Sequence, residues 1–322
     1  MADPSAQMQK PLTHITLPGG EVPGTGGKPA FTLFRPSQRR IPVMIAAPHG
    51  GREYSSRLHA NLRNPGESAH RLEDRHVDLL AHEVARACGA SLLVAHAPRA
   101  LIDLNRGMED MDWTMLRAPD RPASRMHPGR SQAGPTRRAT SGLGLVPRRL
   151  ALTGELWKEP LALGDMEERI ALVHRPYHAT LRQELMDIRQ HWGTALLIDL
   201  HSMPPLQRAG GAAHYVIGDR FGASCADDLV SFALAWLSVG GHPTAHNRPY
   251  AGGYVLDRHA APSQGAHALQ IEVCRSLYLD SRHFSLSGGM KEVAGVLAGL
   301  VSGLATEMGS SNGGLPSAIA AE

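Results

Sequence analysis

The chain has 322 residues, 42% of them apolar, enough for one large domain or two small ones around a buried core. Lys and Arg number 33 against 30 Asp and Glu, and aromatics make up only 5%, so neither the charge nor the ring content points to nucleic acid or an acidic membrane as partner. Three widely spaced cysteines, Cys88, Cys225 and Cys274, exclude a disulfide scaffold and a Cys-based zinc finger, whereas 18 histidines direct the search to metal or acid–base chemistry.

The opening MADPSAQMQKPLTH has no apolar h-region, so no secretory signal is read. No apolar stretch is read as long enough to span a bilayer, and the expected location is cytoplasmic. Residues 1–28, polar and rich in Gly and Pro, are expected to be a flexible N-terminus, and 306–322 a flexible tail. Between them, 29–305 is read as a single α/β domain.

IPVMIAAP (41–48) is a continuous apolar run and reads as a buried strand. Leu72, Val77, Leu80 and Val84 recur at helical spacing over 72–88, and Gly89 follows as a C-cap. SLLVAHA (91–97) and ALIDLN (100–105) read as strands. Residues 107–149 show no sustained period, carry many Pro and Arg, and are too long for an ordinary connection; a lid or binding loop is expected. A long helix follows over 165–191, kinked near Pro176. Strands at 194–204, 214–219 and 267–275 alternate with helices at 226–240 and 287–306. The class is therefore α/β, with a mixed, mainly parallel sheet flanked by helices.

In such sheets ligands sit at the carboxyl ends of the strands. Those ends carry His49, the run Asp103-Leu104-Asn105-Arg106, and Asp199-Leu200-His201-Ser202, while Glu272 lies between Ile271 and Val273. A carboxylate in that apolar setting is costly without a partner. In the predicted helix 72–88, Asp74 and Asp78 are spaced i, i+4 on one face. Two histidines and a carboxylate with one open position make a catalytic zinc site, and His49, His201 and either Asp74 or Asp78 fit that requirement. With 18 histidines in the chain, their spacing alone is weak evidence. Asn105-Arg106 offers a fork suited to a substrate carboxylate. No HExxH, Walker A, G-x-S-x-G or GxGxxG motif is present. The arginine-rich stretch 117–149 is a rival signal for RNA contact, ranked lower because it lacks aromatics.

The stretches APHGGREY (47–54), LEDRHVD (72–78), PRALIDLNR (98–106), GLGLVPRR (142–149), RPYHATL (175–181), IDLHSMP (198–204), YVIGDRFGASC (215–225), NRPYAGGY (247–254) and GAHALQIEVCRSLYLD (265–280) occur in one order. Together they resemble the N-formylglutamate amidohydrolase family. The resemblance implies a zinc-carboxypeptidase-like fold and a metal-dependent amidohydrolase that cleaves a linear amide C–N bond. Its implied substrate is a small carboxylate, N-formyl-L-glutamate, with a place in histidine degradation. It implies one Zn²⁺, other divalent metals being possible, held by His49, His201 and an acid from Asp74 or Asp78. In the carboxypeptidase group the acid stands three residues after the first histidine; here that position is Arg52, and Glu53 follows as another alternative. The resemblance further implies Glu272 and Arg99 as catalytic groups and Asn105 and Arg106 as the substrate-binding pair. Arg148 or Arg149 is the candidate for a second carboxylate. A carboxypeptidase or γ-glutamyl peptide hydrolase on the same scaffold, or a non-catalytic binding protein of this fold, are the alternatives. The oligomeric state is left open.

Overall fold

The computed structural model describes residues 14–121, 136–150, 153–206 and 212–311. Its strands are β1 (His14–Gly19), β2 (Phe31–Pro36), β3 (Val43–Ala47), β4 (Ser91–Ala95), β5 (Arg149–Leu150), β6 (Gly154–Glu155), β7 (Ala195–Met203), β8 (Tyr215–Gly218), β9 (Thr244–His246) and β10 (Ala266–Cys274). The helices are α1 (Ser56–Asn61), α2 (Pro65–Leu72), α3 (Val77–Cys88), α4 (Arg137–Ser141), α5 (Leu163–Arg169), α6 (Arg175–Trp192), α7 (Asp227–Val239), α8 (Tyr254–His259) and α9 (Met290–Ser311). Eight strands form one sheet in the order β1-β2-β4-β3-β7-β10-β8-β9. β4, β3, β7 and β10 are parallel neighbours, as are β8 and β9, while β1, β2 and the β8–β10 pair run antiparallel. This is the mixed, mainly parallel α/β architecture expected.

Strand alternation decides which helices cover which face. Met44 and Ala46 of β3, with Ala195 and Leu197 of β7, pack with Tyr177, Leu181 and Ile188 of α6. The intervening Val43, Ile45, Leu196 and Ile198 pack with Val77, Leu80 and Val84 of α3 and Leu297, Leu300 and Leu304 of α9. Each Val, Leu, Ile or Met side chain among them contributes ~1.5–3 kcal/mol on full burial. On the α6 face the apolar row breaks off toward the strand ends. Asp199 and His201 follow Leu197, and Gln270 and Glu272 follow Ala268, all four buried. The parallel register sets Asp199 beside Gln270 and His201 beside Glu272.

Several expectations need correction. Residues 100–105 form no strand: Ala100, Leu101, Ile102 and Leu104 are buried in a turn, where Leu101 N–H bonds Pro98 O and Asn105 N–H bonds the Asp103 carboxylate. The apolar run marked burial, not extension. The predicted helix 72–88 is two helices, since α2 ends at Leu72 and α3 begins at Val77 after His76 at φ 57°. Asp74 and Asp78 therefore do not share a helix face. The long helix runs from α5 into α6 through a π-helical segment, Ile170–His174. Pro176 has no N–H for Leu172 O, and Glu21 N–H fills that acceptor instead. That contact brings in part of the stretch expected to be flexible, because His14–Gly19 is the edge strand β1; residues 1–13 lie outside the described residues. In 107–149, the described residues hold three short 3-10 turns and α4. α9 extends past 306 to Ser311, and by length and composition Met290–Ser310 does reach membrane-span size, although half of it is buried. Its glycines mask the run in the sequence. A Cβ at Gly303 would meet Phe232 and one at Gly299 would meet Trp236, so these positions let α7 pack closely.

Candidate active site

β3 ends at Ala47, and the chain turns through Pro48 and His49 into Gly50 and Gly51. The turn is crowded: a Cβ at Gly51 would stand 2.2 Å from Ala97 O, and one at Gly50 2.9 Å from the Asp78 Cβ. His49 O accepts the Asp74 N–H at 3.0 Å, which ties the α2–α3 connection to the end of β3. His201 projects from β7. The donor atoms of His49, Asp74 and His201 lie within 4.8 Å of one another, all three side chains buried.

The orientation of the two imidazoles is fixed from behind. Nε2 of His49 meets Asp103 Oδ1 at 2.8 Å, and Nε2 of His201 meets Asp199 Oδ2 at 2.9 Å. Each histidine thus gives its Nε2 proton to a buried carboxylate and turns Nδ1 inward. Both Nδ1 atoms face Asp74 Oδ2, at 3.6 Å from His49 and 3.1 Å from His201. The other oxygen of Asp74 accepts from Arg275 at 3.1 Å. Such outer carboxylates orient metal-binding histidines and raise their basicity.

Protonation behaviour shows what this cluster favours. Burial alone raises Asp74, but the hydrogen bonds from His201 and His49 prevail and hold it well below the usual carboxylate range. Burial alone lowers His201, but Asp199 and Asp74 prevail and hold it well above the usual histidine value. The space between Asp74 and the imidazoles is one that retains positive charge. Two nitrogen donors and one oxygen donor, with room for further ligands, suit a divalent cation.

Glu272 adjoins His201 in the ladder and accepts from Gln270 Nε2 at 2.9 Å. Burial, and the negative charges of Asp74 and Asp199, push it up to about 7 against the pull of His201 and Arg99. A carboxylate poised there can exchange protons near neutral pH. Arg99 gives Nε to Asp103 Oδ2 at 2.8 Å, and no other hydrogen bond engages it among the described residues. Asp103 therefore holds His49 with one oxygen and Arg99 with the other. Burial would raise Asp103, but Arg99 and His49 outweigh it and its carboxyl stays well below the usual range.

Asn105 is anchored by its backbone N–H to Asp103 and by Oδ1 to Val255 N–H at 3.0 Å. Arg106 uses Nε on Leu143 O and Nη1 on its neighbour's carbonyl, Asn105 O, leaving Nη2 for the cleft. His49, Asp74, His201, Arg99, Asn105, Arg106 and Glu272 line one cleft of about 900 Å³. Its wall is strongly basic, with seven arginines against the carboxylates of Asp74 and Glu272.

Four expected residues lie elsewhere. Asp78, in the first turn of α3, is clamped by Arg52 at 3.0 and 2.6 Å and does not join the His49–Asp74–His201 group. Glu53 pairs with Lys28 at 2.7 Å on the surface. Arg148 is taken up by Asp112 and Glu155, and Arg149 by the carbonyls of Ser141 and Thr140, so neither faces the cleft. Conversely, the sequence reading gave Asp103, Asp199, Gln270, Arg275 and Arg138 no role. The signal for two of them was alternation: Asp199 with His201, and Gln270 with Glu272, put polar residues two apart in otherwise apolar strands. Asp103 stood in the quoted Asp-Leu-Asn-Arg run.

A polar, buried cluster at the carboxyl ends of parallel strands, with Glu272 beside a potential cation site, is an arrangement suited to hydrolysis. The family model for N-formylglutamate amidohydrolase matches residues 41–279, and the chain belongs to this family. It is accordingly an amidohydrolase. N-formylglutamate deformylases of Pseudomonas putida and Pseudomonas aeruginosa are 32% and 30% identical to it over 252 and 253 residues, each match covering 76% of this chain and 84% of the relative. The crystal structure of N-formylglutamate amidohydrolase from Ralstonia eutropha JMP134 is similar with a TM-score of 0.77 at 28% identity, over 88% of this chain and 99% of that one. A gene product of Agrobacterium tumefaciens shares the fold, with a TM-score of 0.59 at 17% identity, over 87% and 96% of the two chains.

Proposed function

We propose that this enzyme hydrolyses N-formyl-L-glutamate to L-glutamate and formate, with one zinc ion held by His49, Asp74 and His201. The observation that carries the reading is the convergence of those three donors beside Glu272 and Arg99 in a basic cleft. Zinc bound there supplies positive charge that polarises a carbonyl and makes water more acidic, a role other divalent metals can also fill. The remaining work falls to the chain's own side chains. Glu272 takes a proton from the attacking water and returns it to the departing nitrogen, one carboxylate serving both transfers. Arg99, aimed by Asp103, directs its terminal nitrogens at the oxygen on which charge develops. Arg106, with Asn105 fixing its turn, binds the α-carboxylate through Nη2. The excess of arginine on the cleft wall suits a substrate with two carboxylates.

A product assay tests this on N-formyl-, N-acetyl- and γ-glutamyl-linked amino acids, with and without chelator, alongside metal analysis. Formate release from N-formyl-L-glutamate that chelation abolishes and zinc restores is expected. His49→Ala and His201→Ala should each lose the metal. Chelator-insensitive turnover would remove the metal from the mechanism, and preference for γ-glutamyl peptides would replace the substrate.

A further inference from the structure

The cleft's arginines are not equally available. Arg71 pairs with Glu67, Arg220 with Asp257, and Arg275 with Asp74 and the Glu73 carbonyl. Arg99 is held by Asp103, and Arg106 by two carbonyls. Arg248 is not free either. Arg138 is the exception: its guanidinium makes no hydrogen bond or ion pair among the described residues, although the residue lines the cleft.

Its position is built, not incidental. Thr136 caps α4 by accepting from Ala139 N–H at 3.2 Å and fixes the helix to the 107–112 loop by donating to Asp110 Oδ1 at 2.6 Å. After Gly142 the chain docks again: Leu145 N–H bonds Asp110 O at 2.9 Å, and Asp103 N–H bonds Leu145 O at 2.8 Å. Leu143 links the two arginines directly. Its N–H bonds Arg138 O at 3.1 Å, and its carbonyl accepts Arg106 Nε at 2.9 Å. Arg138 therefore stands beside the arginine assigned to the α-carboxylate. Burial, with Arg99 and Arg138 as like charges nearby, holds the Arg106 guanidinium below its ordinary value. Cations gathered on one wall, one of them without an acidic partner, are stabilised by an anion bridging the gap.

We propose that Arg138 reads the side-chain carboxylate of the substrate and so sets the preference for an acidic N-formyl amino acid. This rests on the N-formyl amino acid reading above and takes the place expected of Arg148 or Arg149. The side-chain carboxylate of glutamate lies only a few bonds from its α-carboxylate, so its reader must adjoin Arg106, as Arg138 does.

The test compares kcat and KM for N-formyl-L-glutamate and for the neutral, near-isosteric N-formyl-L-glutamine in wild type, Arg138→Gln and Arg138→Lys. Arg138→Gln should lower kcat/KM for the glutamate substrate roughly 10- to 100-fold, mainly through KM, the range for one lost charged hydrogen bond. The loss on the glutamine substrate should be far smaller, so that selectivity collapses. Arg138→Lys should recover part of it. Equal losses on both substrates would mark damage to α4 and overturn the proposal, as would selectivity unchanged in Arg138→Gln. In either case wild-type turnover of N-formyl-L-glutamate leaves the functional reading standing. Absence of wild-type turnover on both substrates defeats that reading and this proposal with it.

Discussion

Replacing Asp103 with asparagine keeps the shape of a side chain that holds two parts of the site at once. Oδ1 accepts from His49 Nε2 and from the Asn105 N–H, each at 2.8 Å, while Oδ2 accepts from Arg99 Nε at 2.8 Å. Asparagine has one acceptor oxygen, so its amide nitrogen must oppose an N–H on one side. Keeping the oxygen toward His49 and Asn105 sacrifices one bond; the flipped amide sacrifices two. The first arrangement wins, and Arg99 is left without its counter-charge. Breaking a buried ion pair costs ~3–5 kcal/mol. The Arg99 side chain retains about a fifth of its exposure, 19%, which favours the low end, about 3 kcal/mol of folding stability. The kinetic effect should follow the same asymmetry. Arg99 loses its aim, and kcat should fall on the order of 10²-fold. His49 keeps its partner, so metal affinity should fall by less than the ~10–100-fold of a lost outer carboxylate. Denaturant unfolding, chelator competition and steady-state kinetics read the three quantities. Metal affinity falling further than kcat would refute the assignment of the two oxygens, and a variant indistinguishable from wild type would refute the structural role altogether.

For Glu272→Gln, kcat should drop ~10²–10⁴-fold with metal retained, and the acidic limb of the kcat/KM profile should vanish. The base is the ionised form, so wild-type activity rises with pH up to about 7, and a bound cation, which favours ionisation, shifts that limb lower; a limb persisting in the variant belongs to another group. The same raised value implies that ionising Glu272 opposes folding. In chelated protein the wild type should lose roughly 3 kcal/mol relative to the glutamine variant as pH rises from 4.5 to about 7, with no difference below that window, as unfolding at several pH values would show. Arg106→Ala should raise KM strongly, since a carboxylate contact is present in ground and transition states alike, whereas Arg99→Ala should act mainly on kcat; the reverse split exchanges their roles. Gly253→Ala would place a Cβ 2.5 Å from Asn105 Oδ1, so activity should fall by an order of magnitude or more with the protein still folded, and wild-type kinetics would show the Asn105 anchor to be dispensable.

Much of this architecture was legible because burial leaves a simple trace. The runs at 41–48 and 194–204 are apolar because both faces of β3 and β7 are covered, and no short amphipathic pattern competes with that reading. The failures share a cause. At 100–105 an equally apolar run is buried as a turn, because the Asp103 side chain supplies the hydrogen bond a neighbouring strand would otherwise give. At 72–77 the periodicity of two helices runs on through a break that only backbone geometry reveals, His76 at φ 57°. This break decides between the acids. Asp74, in the connection, reaches the histidines, while Asp78, one residue into α3, turns to Arg52. β1 was hidden because an exposed edge strand needs little apolar alternation. Arg138 was hidden because only partners, not spacing, separate it from Arg148 and Arg149.

The site's geometry follows from how each donor is restrained. His49 is held by Asp103 in the 100–106 turn, His201 by Asp199 on its own strand, and Asp74 by Arg275 and the His49 carbonyl. These restraints come from different elements, and the bond from Asp74 N–H to the His49 carbonyl couples two of the donors directly. None of them requires a cation to form, because each is a hydrogen bond between protein groups. A structural zinc site behaves otherwise: there the ligands meet only when metal binds, and binding is folding. Here sheet register already sets His201 beside Glu272 and Asp199 beside Gln270, and the flanking apolar rows fix that register, since a one-residue slip would turn Leu200 and Ile271 into the cleft. The hydrophobic alternation that assembles the core is therefore what aligns Glu272, the proposed acid–base group, with the donors proposed to hold the metal.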